Sequence, residues 1–221
     1  QPEIFDKIID NDHEIAFHTM HHERLDSPGF KENFSDEIKK FAKLTKHKSQ
    51  GFRAPTFSLN QSSSWVIDVL AENNYIYDSS IIPAKSNMYG TPNAEHSPYR
   101  ISSNSIEKND SSGKLIEFPL LTTRFLGKKI PAAGGFYLRT LPTNVIKNAI
   151  KNYEKKGMPA TFYIHSWELT PEFMPRLDLP LKDKFVTYHN LDKAYSRMSQ
   201  LLKHFEFTSF SRYIAENEMM I

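Results

Sequence analysis

Two histidines four positions apart are the first pattern in the chain that could bind a metal ion. His18 and His22 belong to the run HTMHH, and if the chain turns helically there, both imidazoles project from one face and can share an ion. His21 could pair with His18 instead, and a surface histidine cluster without a metal is the alternative. Zinc held by two histidines would also need a third protein ligand, usually a carboxylate, and an open position for water.

Two further polar residues follow runs that are typical of strands. Arg53 lies in GFRAP, where the rigid ring of Pro55 would fix the loop so that the guanidinium could orient a carboxylate or bind a charged substrate. His165 ends the aromatic run ATFYI and could act as a general acid near neutral pH. Each also has a structural interpretation, a salt bridge for Arg53 and a hydrogen-bonded core histidine for His165.

Weaker candidates surround these residues. Asp78 in YDSS could line a site or cap a turn. Trp167, Phe136 and Tyr137 could form a wall on which a sugar stacks, although aromatic residues also serve in packing.

Composition excludes several other classes of protein. The chain of 221 residues has no cysteine, so a metal would have to sit on His, Asp or Glu. A net charge of +2 without long basic runs indicates neither a nucleic-acid partner nor a membrane surface, and no apolar stretch of about 18 residues predicts a membrane span. Phosphate-loop, dinucleotide and G-x-S-x-G motifs are also missing, since the pair Gly134 and Gly135 is too short for a dinucleotide fingerprint.

Alternating strands and helices must position these residues. Apolar periodicity predicts helices over residues 2–9, 34–44 with Ser35 as its cap, 62–73, 144–156 and 191–205. Short apolar runs predict strands over 13–17, 51–55, 75–77, 115–121, 160–164 and 207–210. This alternation indicates one α/β domain over residues 1–221 with a mainly parallel sheet or barrel. We therefore expect His18, Arg53, Asp78 and His165 to gather at the carboxyl ends of the strands.

Three motifs in this order resemble the polysaccharide deacetylases of carbohydrate esterase family four. HEIAFHTMHH resembles the family's H-[ST]-x-x-H motif, GFRAP its R-x-P motif, and YIHSWE its late histidine motif. Longer runs, among them GFRAPTFSLNQSSSWVIDVLAENNYIYDSSIIP and ATFYIHSWELTPE, are similar to the subgroup found in bacterial exopolysaccharide-assembly loci. The resemblance implies a distorted (β/α) barrel.

The same resemblance implies metal-dependent removal of N-acetyl groups from the amino sugars of a glycan. His18 and His22 would be metal ligands, His165 the general acid, and Arg53 the residue that positions the catalytic base. The metal would be divalent, with Zn²⁺ expected and Co²⁺, Mn²⁺ or Ni²⁺ as alternatives. A silent carbohydrate-binding domain and an amidohydrolase acting on a small molecule remain the competing hypotheses.

One motif of the family has no equivalent in the sequence. In the family, a strand ending in an acidic pair precedes the histidine motif and supplies the base and the third metal ligand. We therefore expect the domain to be incomplete at its N-terminus, with the first strands of the barrel and their aspartates upstream of residue 1.

Overall fold

The computed structural model describes residues 2–85 and 90–219 of the chain. Its helices are α1 (Pro2–Asp10), α2 (Phe30–Thr45), α3 (Trp65–Glu72), α4 (Gly135–Thr140), α5 (Thr143–Glu154), α6 (Ser166–Leu169), α7 (Leu181–Tyr188), α8 (Ala194–Leu202) and α9 (Phe210–Glu216). Its strands are β1 (Gly51–Phe52), β2 (Tyr77–Asp78), β3 (Tyr99–Ile101), β4 (Leu115–Glu117), β5 (Thr122–Phe125) and β6 (Lys128–Pro131).

Four of the strands form one sheet in the order β1-β2-β4-β3. β1, β2 and β4 run parallel, and Tyr77 and Asp78 of β2 lie opposite Ile116 and Glu117 of β4. β3 is antiparallel to β4. Strands β5 and β6 form a separate antiparallel hairpin.

Two irregular segments extend the parallel arrangement on both sides. Phe17 forms a parallel bridge with Phe52 of β1, and Thr161 forms one with Leu120 just beyond β4. Five segments of the chain thus point in one direction, and His18, Arg53, Ser79 and His165 follow four of them. Carboxyl ends of parallel segments share one edge, so His18, Arg53 and His165 lie at that edge as expected, whereas Asp78 lies within β2 and is buried.

Aromatic residues anchor the segment that precedes His18. Phe17 is 1% exposed, and its ring lies 5.0 Å from that of Phe41 and 5.7 Å from that of Phe52, measured between centroids. Phe34 of α2 lies 5.9 Å from Phe17. Because α2 places Phe30, Phe34 and Ile38 on one buried face at the i, i+4 spacing of a helix, this helix covers the histidine-bearing segment and holds it in place.

Several predicted elements differ in the structure. Helix α2 begins at Phe30 after Gly29, whose φ is +75°, so the prediction that Ser35 caps this helix is wrong. The predicted final strand at 207–210 is also wrong, because Ser209 accepts a hydrogen bond from the Arg212 backbone and begins α9. The hairpin of β5 and β6 and the antiparallel β3 were not predicted. The described residues form an open sheet and a hairpin, and the closed barrel stays a prediction.

We predict that Phe17→Ala destabilises the protein by about 3–5 kcal/mol, the usual cost of removing a buried phenylalanine ring. Chemical denaturation measures this loss. Phe173→Ala is the matched control, because that ring is 80% exposed and its removal should change the free energy of unfolding by less than about 0.5 kcal/mol. Equal effects of the two substitutions would contradict the assignment of Phe17 to the core.

Candidate active site

The histidine pair is brought together by a tight loop. The rings of His18 and His22 lie 5.0 Å apart between centroids at an interplanar angle of 75°. Thr19 and His22 both have positive φ angles, 56° and 55°, so the helical turn expected here is wrong. The loop is tied down where Thr19 Oγ1 accepts a hydrogen bond from the backbone N–H of Glu23. Both imidazoles remain exposed to solvent.

The tautomer of His18 follows from its hydrogen-bond partner. Nδ1 lies 2.7 Å from the backbone oxygen of Arg53, and because a carbonyl oxygen only accepts, Nδ1 must carry the hydrogen. In the neutral ring, Nε2 is then left unprotonated, as a metal ligand requires. Loss of water around the ring lowers the pKa of His18, the hydrogen bond to the Arg53 carbonyl opposes this effect, and the nearby charges of His22, Arg53 and His165 lower the pKa further. The neutral, metal-binding form is therefore favoured at neutral pH.

Two histidines are the whole donor set at this position in the part of the chain that the structure describes. No cluster of three or more His, Asp or Glu side chains that could hold a metal ion occurs within residues 2–85 and 90–219. The rings are close enough to share an ion at the usual zinc–nitrogen distance of about 2.0–2.1 Å. His18 and His22 thus fit two positions of a zinc site and leave the remaining positions to other donors.

Arg53 connects the histidine loop to the neighbouring strand ends. Its Nε donates to the backbone oxygen of Ser79 and its Nη2 to Ser79 Oγ, both at 2.7 Å. Its backbone N–H donates to Phe17 O, while its own carbonyl holds His18. Burial lowers the pKa of Arg53, and the nearby Asp78 and Glu117 oppose this effect. The guanidinium is thus held by neutral partners and can still attract an anionic group.

Aromatic rings link Arg53 to His165. The guanidinium carbon lies 5.7 Å from the centroid of Tyr163, and the Tyr163 ring lies 5.5 Å from His165. His165 is exposed and stacks on Trp167 at 5.5 Å with an interplanar angle of 22°. The structure therefore brings Arg53, His165 and the histidine pair to one edge, as the sequence predicted.

A buried ion pair that the sequence analysis missed lies behind His165. Glu168 Oε2 is 2.9 Å from His165 Nδ1, and Glu168 Oε1 accepts a hydrogen bond from Arg139 Nε at 3.0 Å. Both side chains of the Arg139–Glu168 pair are 2% exposed. Burial acts to raise the pKa of the Glu168 carboxyl, but its hydrogen bonds with His165 and the charge of Arg139 together lower it. Glu168 is therefore an ionised group that orients the His165 ring.

Arg139 is itself fixed by backbone oxygens. Its Nη1 donates to His189 O at 2.6 Å and its Nη2 to Val186 O at 2.9 Å. These bonds join α4 to the end of α7. Because Arg139 also holds Glu168, the position of Glu168 depends on both helices. The sequence signal that could have found this pair is Glu168 itself, one turn after His165 in YIHSWE.

The glycine pair between β6 and α4 makes room for this arrangement. A Cβ atom on Gly135 would lie 1.7 Å from Glu168 Oε2, and one on Gly134 would lie 2.4 Å from the Tyr163 ring. Gly134 also has a φ of +93°, a conformation that favours glycine. These glycines therefore serve close packing behind the site.

The predicted aromatic wall is only partly assembled. Trp167 packs on His165 as described, while Phe136 lies 5.5 Å from Tyr137 and 6.3 Å from Phe185. All three predicted rings are half-buried. Trp167 therefore flanks the general-acid candidate directly, whereas Phe136 and Tyr137 belong to a neighbouring aromatic group on α4.

Asp78 lies inside the protein and not on the surface of the site. It is 1% exposed and accepts a hydrogen bond from Ser80 Oγ. Glu117 on the adjacent strand is also buried, at 0% exposed. This burial favours a role for Asp78 in holding the residues that follow it, Ser79 and Ser80, over direct contact with a substrate.

A cavity of about 810 Å³ opens beside Arg53. Its lining includes Arg53, Ser79 and Phe118 from the strand ends, together with both outer parallel segments, through Ala16 on one side and Phe162 on the other. None of the three candidate histidines lines it. The cavity therefore lies between the two outer segments and extends to Arg53.

The fold and site define an α/β protein with histidines, an arginine and buried carboxylates collected at one edge of parallel segments. The chain belongs to the family described as Domain of unknown function (DUF3473), whose model matches residues 79–215, more than half of the 221 residues. The match includes Glu117, Arg139, His165 and Glu168 and begins after His18, His22 and Arg53. No curated protein matches the sequence.

Within residues 2–85 and 90–219, no helix has the length and apolar character needed to cross a bilayer.

We predict that Gly135→Ala displaces the Glu168 carboxylate, because the new methyl group would overlap it. The substitution should destabilise the protein by about 1–3 kcal/mol, the range for overpacking a buried site, as measured by thermal unfolding. Gly157→Ala is the control, since nothing lies within 4 Å of its added Cβ and only its φ of +67° opposes the change. A smaller loss for Gly135→Ala than for Gly157→Ala would contradict the close packing.

Proposed function

We propose that the chain belongs to a metal-dependent deacetylase that removes N-acetyl groups from amino sugars of a glycan. The observation that carries the proposal is the convergence of a metal-competent histidine pair, Arg53, and a His165–Glu168 pair at one edge of parallel segments. Members of the matched family are associated with polysaccharide deacetylase-like proteins, which agrees with the three sequence motifs.

The metal would be held by Nε2 of His18 and by His22, with zinc as the expected ion. When bound, zinc polarises an amide carbonyl and makes a bound water more acidic. His18 is prepared for this task, because the Arg53 carbonyl fixes its tautomer and ring orientation.

His165 would donate a proton to the leaving nitrogen as the amide bond breaks. Its Nδ1 is engaged by Glu168, so Nε2 is the atom that faces the substrate. The ionised carboxylate accepts the hydrogen on Nδ1 and so holds the ring in one orientation. Trp167 stacked on His165 would limit the motion of the ring and offer a surface for the sugar.

Arg53 would position the carboxylate that acts as base. Its guanidinium has neutral hydrogen-bond partners, faces the cavity and so can bind an anionic side chain. The base and the third metal ligand would come from outside the described residues, on a strand placed between the segments at Ala16 and Phe162. Such a strand would pair with both outer segments and close the sheet into the proposed barrel.

A silent glycan-binding domain is the second candidate. The observation that favours it is the incomplete ligand set in the described part of the chain, combined with the exposed His165 stacked on Trp167. Glycan binding that needs no metal and yields no acetate would support this candidate.

The test is acetate release from N-acetylated glycan oligomers by the natural full-length protein with zinc, cobalt or manganese. We expect metal-dependent acetate release that is abolished by a chelator. A small N-acetylated amide offered in competition distinguishes a glycan substrate from a small-molecule one. Absence of acetate with every metal and glycan would refute the proposed activity.

We predict that His18→Ala and His22→Ala each weaken zinc binding by more than the ~10–100-fold that follows loss of an outer-shell partner. Isothermal titration calorimetry measures this affinity. His21→Ala is the matched control, because this exposed neighbour is outside the proposed ligand set and its loss should leave zinc affinity unchanged. Equal weakening by all three substitutions would indicate a nonspecific histidine cluster.

We predict that Glu168→Gln lowers kcat by about 10–100-fold, within the usual contribution of a general acid, and leaves KM nearly unchanged. The reason is that the neutral amide can present its NH2 group to His165 Nδ1, so the ring is no longer held in one tautomer and orientation. Steady-state kinetics is the decisive measurement, with Glu172→Gln as an exposed control and zinc content as a check of folding. An unchanged kcat would assign Glu168 a purely structural role.

A further inference from the structure

Two acidic side chains lie side by side in the interior of the sheet. Asp78 and Glu117 are direct neighbours in the parallel register of β2 and β4, and they are 1% and 0% exposed. Two ionised carboxylates in contact inside a protein repel each other and lose their hydration, so such a pair normally retains a proton.

The hydrogen bonds show where this proton is needed. Glu117 Oε1 accepts from the Ile81 backbone at 3.0 Å, and Oε2 accepts from the Ser80 backbone at 3.4 Å. Asp78 Oδ1 accepts from Ser80 Oγ at 2.5 Å. Asp78 Oδ2 is buried without a hydrogen-bond partner among the described residues. A hydrogen on Oδ2, shared with the Glu117 carboxylate, would supply the missing bond.

The charges around the pair also indicate that the two carboxyls hold one proton. Within residues 2–85 and 90–219, Arg53 is a cation that acts on both carboxyls, and the hydroxyls of Tyr77 and Tyr99 are titratable groups that also lie close to the pair. Burial and the acidic neighbours raise the pKa of both tyrosines, so they stay neutral. One positive charge is balanced by one negative charge, which two carboxyls provide when they hold one proton.

Burial raises the pKa of both carboxyls, and for Glu117 the neighbouring Asp78 raises it further. This direction agrees with the geometry.

We propose that Asp78 and Glu117 share a single proton at neutral pH, and that this monoprotonated pair is the positioning element for Arg53. Glu117 holds the backbone of Ser80 and Ile81, and Ser79 in the same turn accepts both bonds from the guanidinium. Ser80 Oγ also accepts from the Ala54 backbone, next to Arg53. The role in activity rests on the proposed function, whereas the shared proton does not.

Infrared difference spectroscopy tests the shared proton directly. The wild type at pH 7 should show the carbonyl stretch of a protonated carboxyl, shifting in D₂O. Asp78→Asn and Glu117→Gln should each abolish the band, because one remaining carboxylate balances Arg53. Asp68→Asn, an exposed aspartate on α3, should retain it. Absence of the band in the wild type, or its persistence in Asp78→Asn, would overturn the proposal.

The pH dependence of stability provides an independent measurement. A carboxyl whose pKa is raised by folding stabilises the protein at low pH, and this stability is lost as pH rises from about 4 toward the folded pKa. From about pH 5 to 7, the unfolding equilibrium constant of the wild type should therefore rise about tenfold per pH unit relative to Asp78→Asn. Parallel stability curves for the two proteins would also overturn the shared proton.

The role of the pair in positioning Arg53 is tested separately, by measuring acetate release with the full-length protein. Asp78→Asn keeps the hydrogen bond to Glu117 and should retain acetate release, whereas Asp78→Leu should lower kcat with little change in zinc affinity. If no variant or wild type releases acetate but the infrared band is present, the proposed function fails and the shared proton stands. Equal activity of Asp78→Leu and wild type would refute the positioning role.

Discussion

The hydrogen bonds of Arg53 connect every part of the candidate site. Its backbone joins the segment at Phe17 and fixes His18, while its side chain holds the turn at Ser79. Buried polar groups that lack partners cost about 1–3 kcal/mol each, so these bonds specify one arrangement of three strand ends. Displacement of the Arg53 backbone would therefore disturb the proposed metal site, whereas displacement of its side chain would disturb the turn at Ser79.

The site is supported by two buried charge systems of different kinds. Arg139 and Glu168 form a full ion pair with additional backbone partners, as a buried pair requires. Arg53 faces the carboxyls of Asp78 and Glu117, and the proposed shared proton leaves this pair with one negative charge to balance the guanidinium. The first system fixes the proposed acid, His165, and the second fixes the residue proposed to hold the base. Both halves of the proposed chemistry thus depend on charge balance in the interior.

The local sequence was sufficient for the elements with strong periodicity. Helices α1, α3 and α5 were predicted at nearly their observed positions, because their apolar residues recur at clear intervals. The strands predicted at 51–55 and 75–77 overlap β1 and β2 only in part, since each of these strands spans two residues. The start of α2 was missed because Gly29 and Phe30 interrupt a polar loop. The residues 207–210 were misassigned because three of the four are aromatic or β-branched, and such residues can also precede a helix.

The candidate site was predictable only where a motif marks it. His18, His22, Arg53 and His165 were found, and their gathering followed from the parallel topology. The pairing of Asp78 with Glu117 depends on the register between β2 and β4, which are distant in sequence, and that of Glu168 with Arg139 on contacts 29 residues apart. No local pattern encodes such tertiary contacts, and the same holds for the loop geometry at Thr19.

The most direct test of this account is the tautomer of His18, measured by long-range ¹H–¹⁵N NMR on histidine-labelled protein and assigned with His18→Gln. The account predicts a neutral ring with the hydrogen on Nδ1 and an unprotonated Nε2, whose ¹⁵N signal shifts when zinc is added while Nδ1 keeps its hydrogen. A ring with the hydrogen on Nε2, or no response to zinc, would contradict it, because Arg53 would then not prepare His18 for a metal.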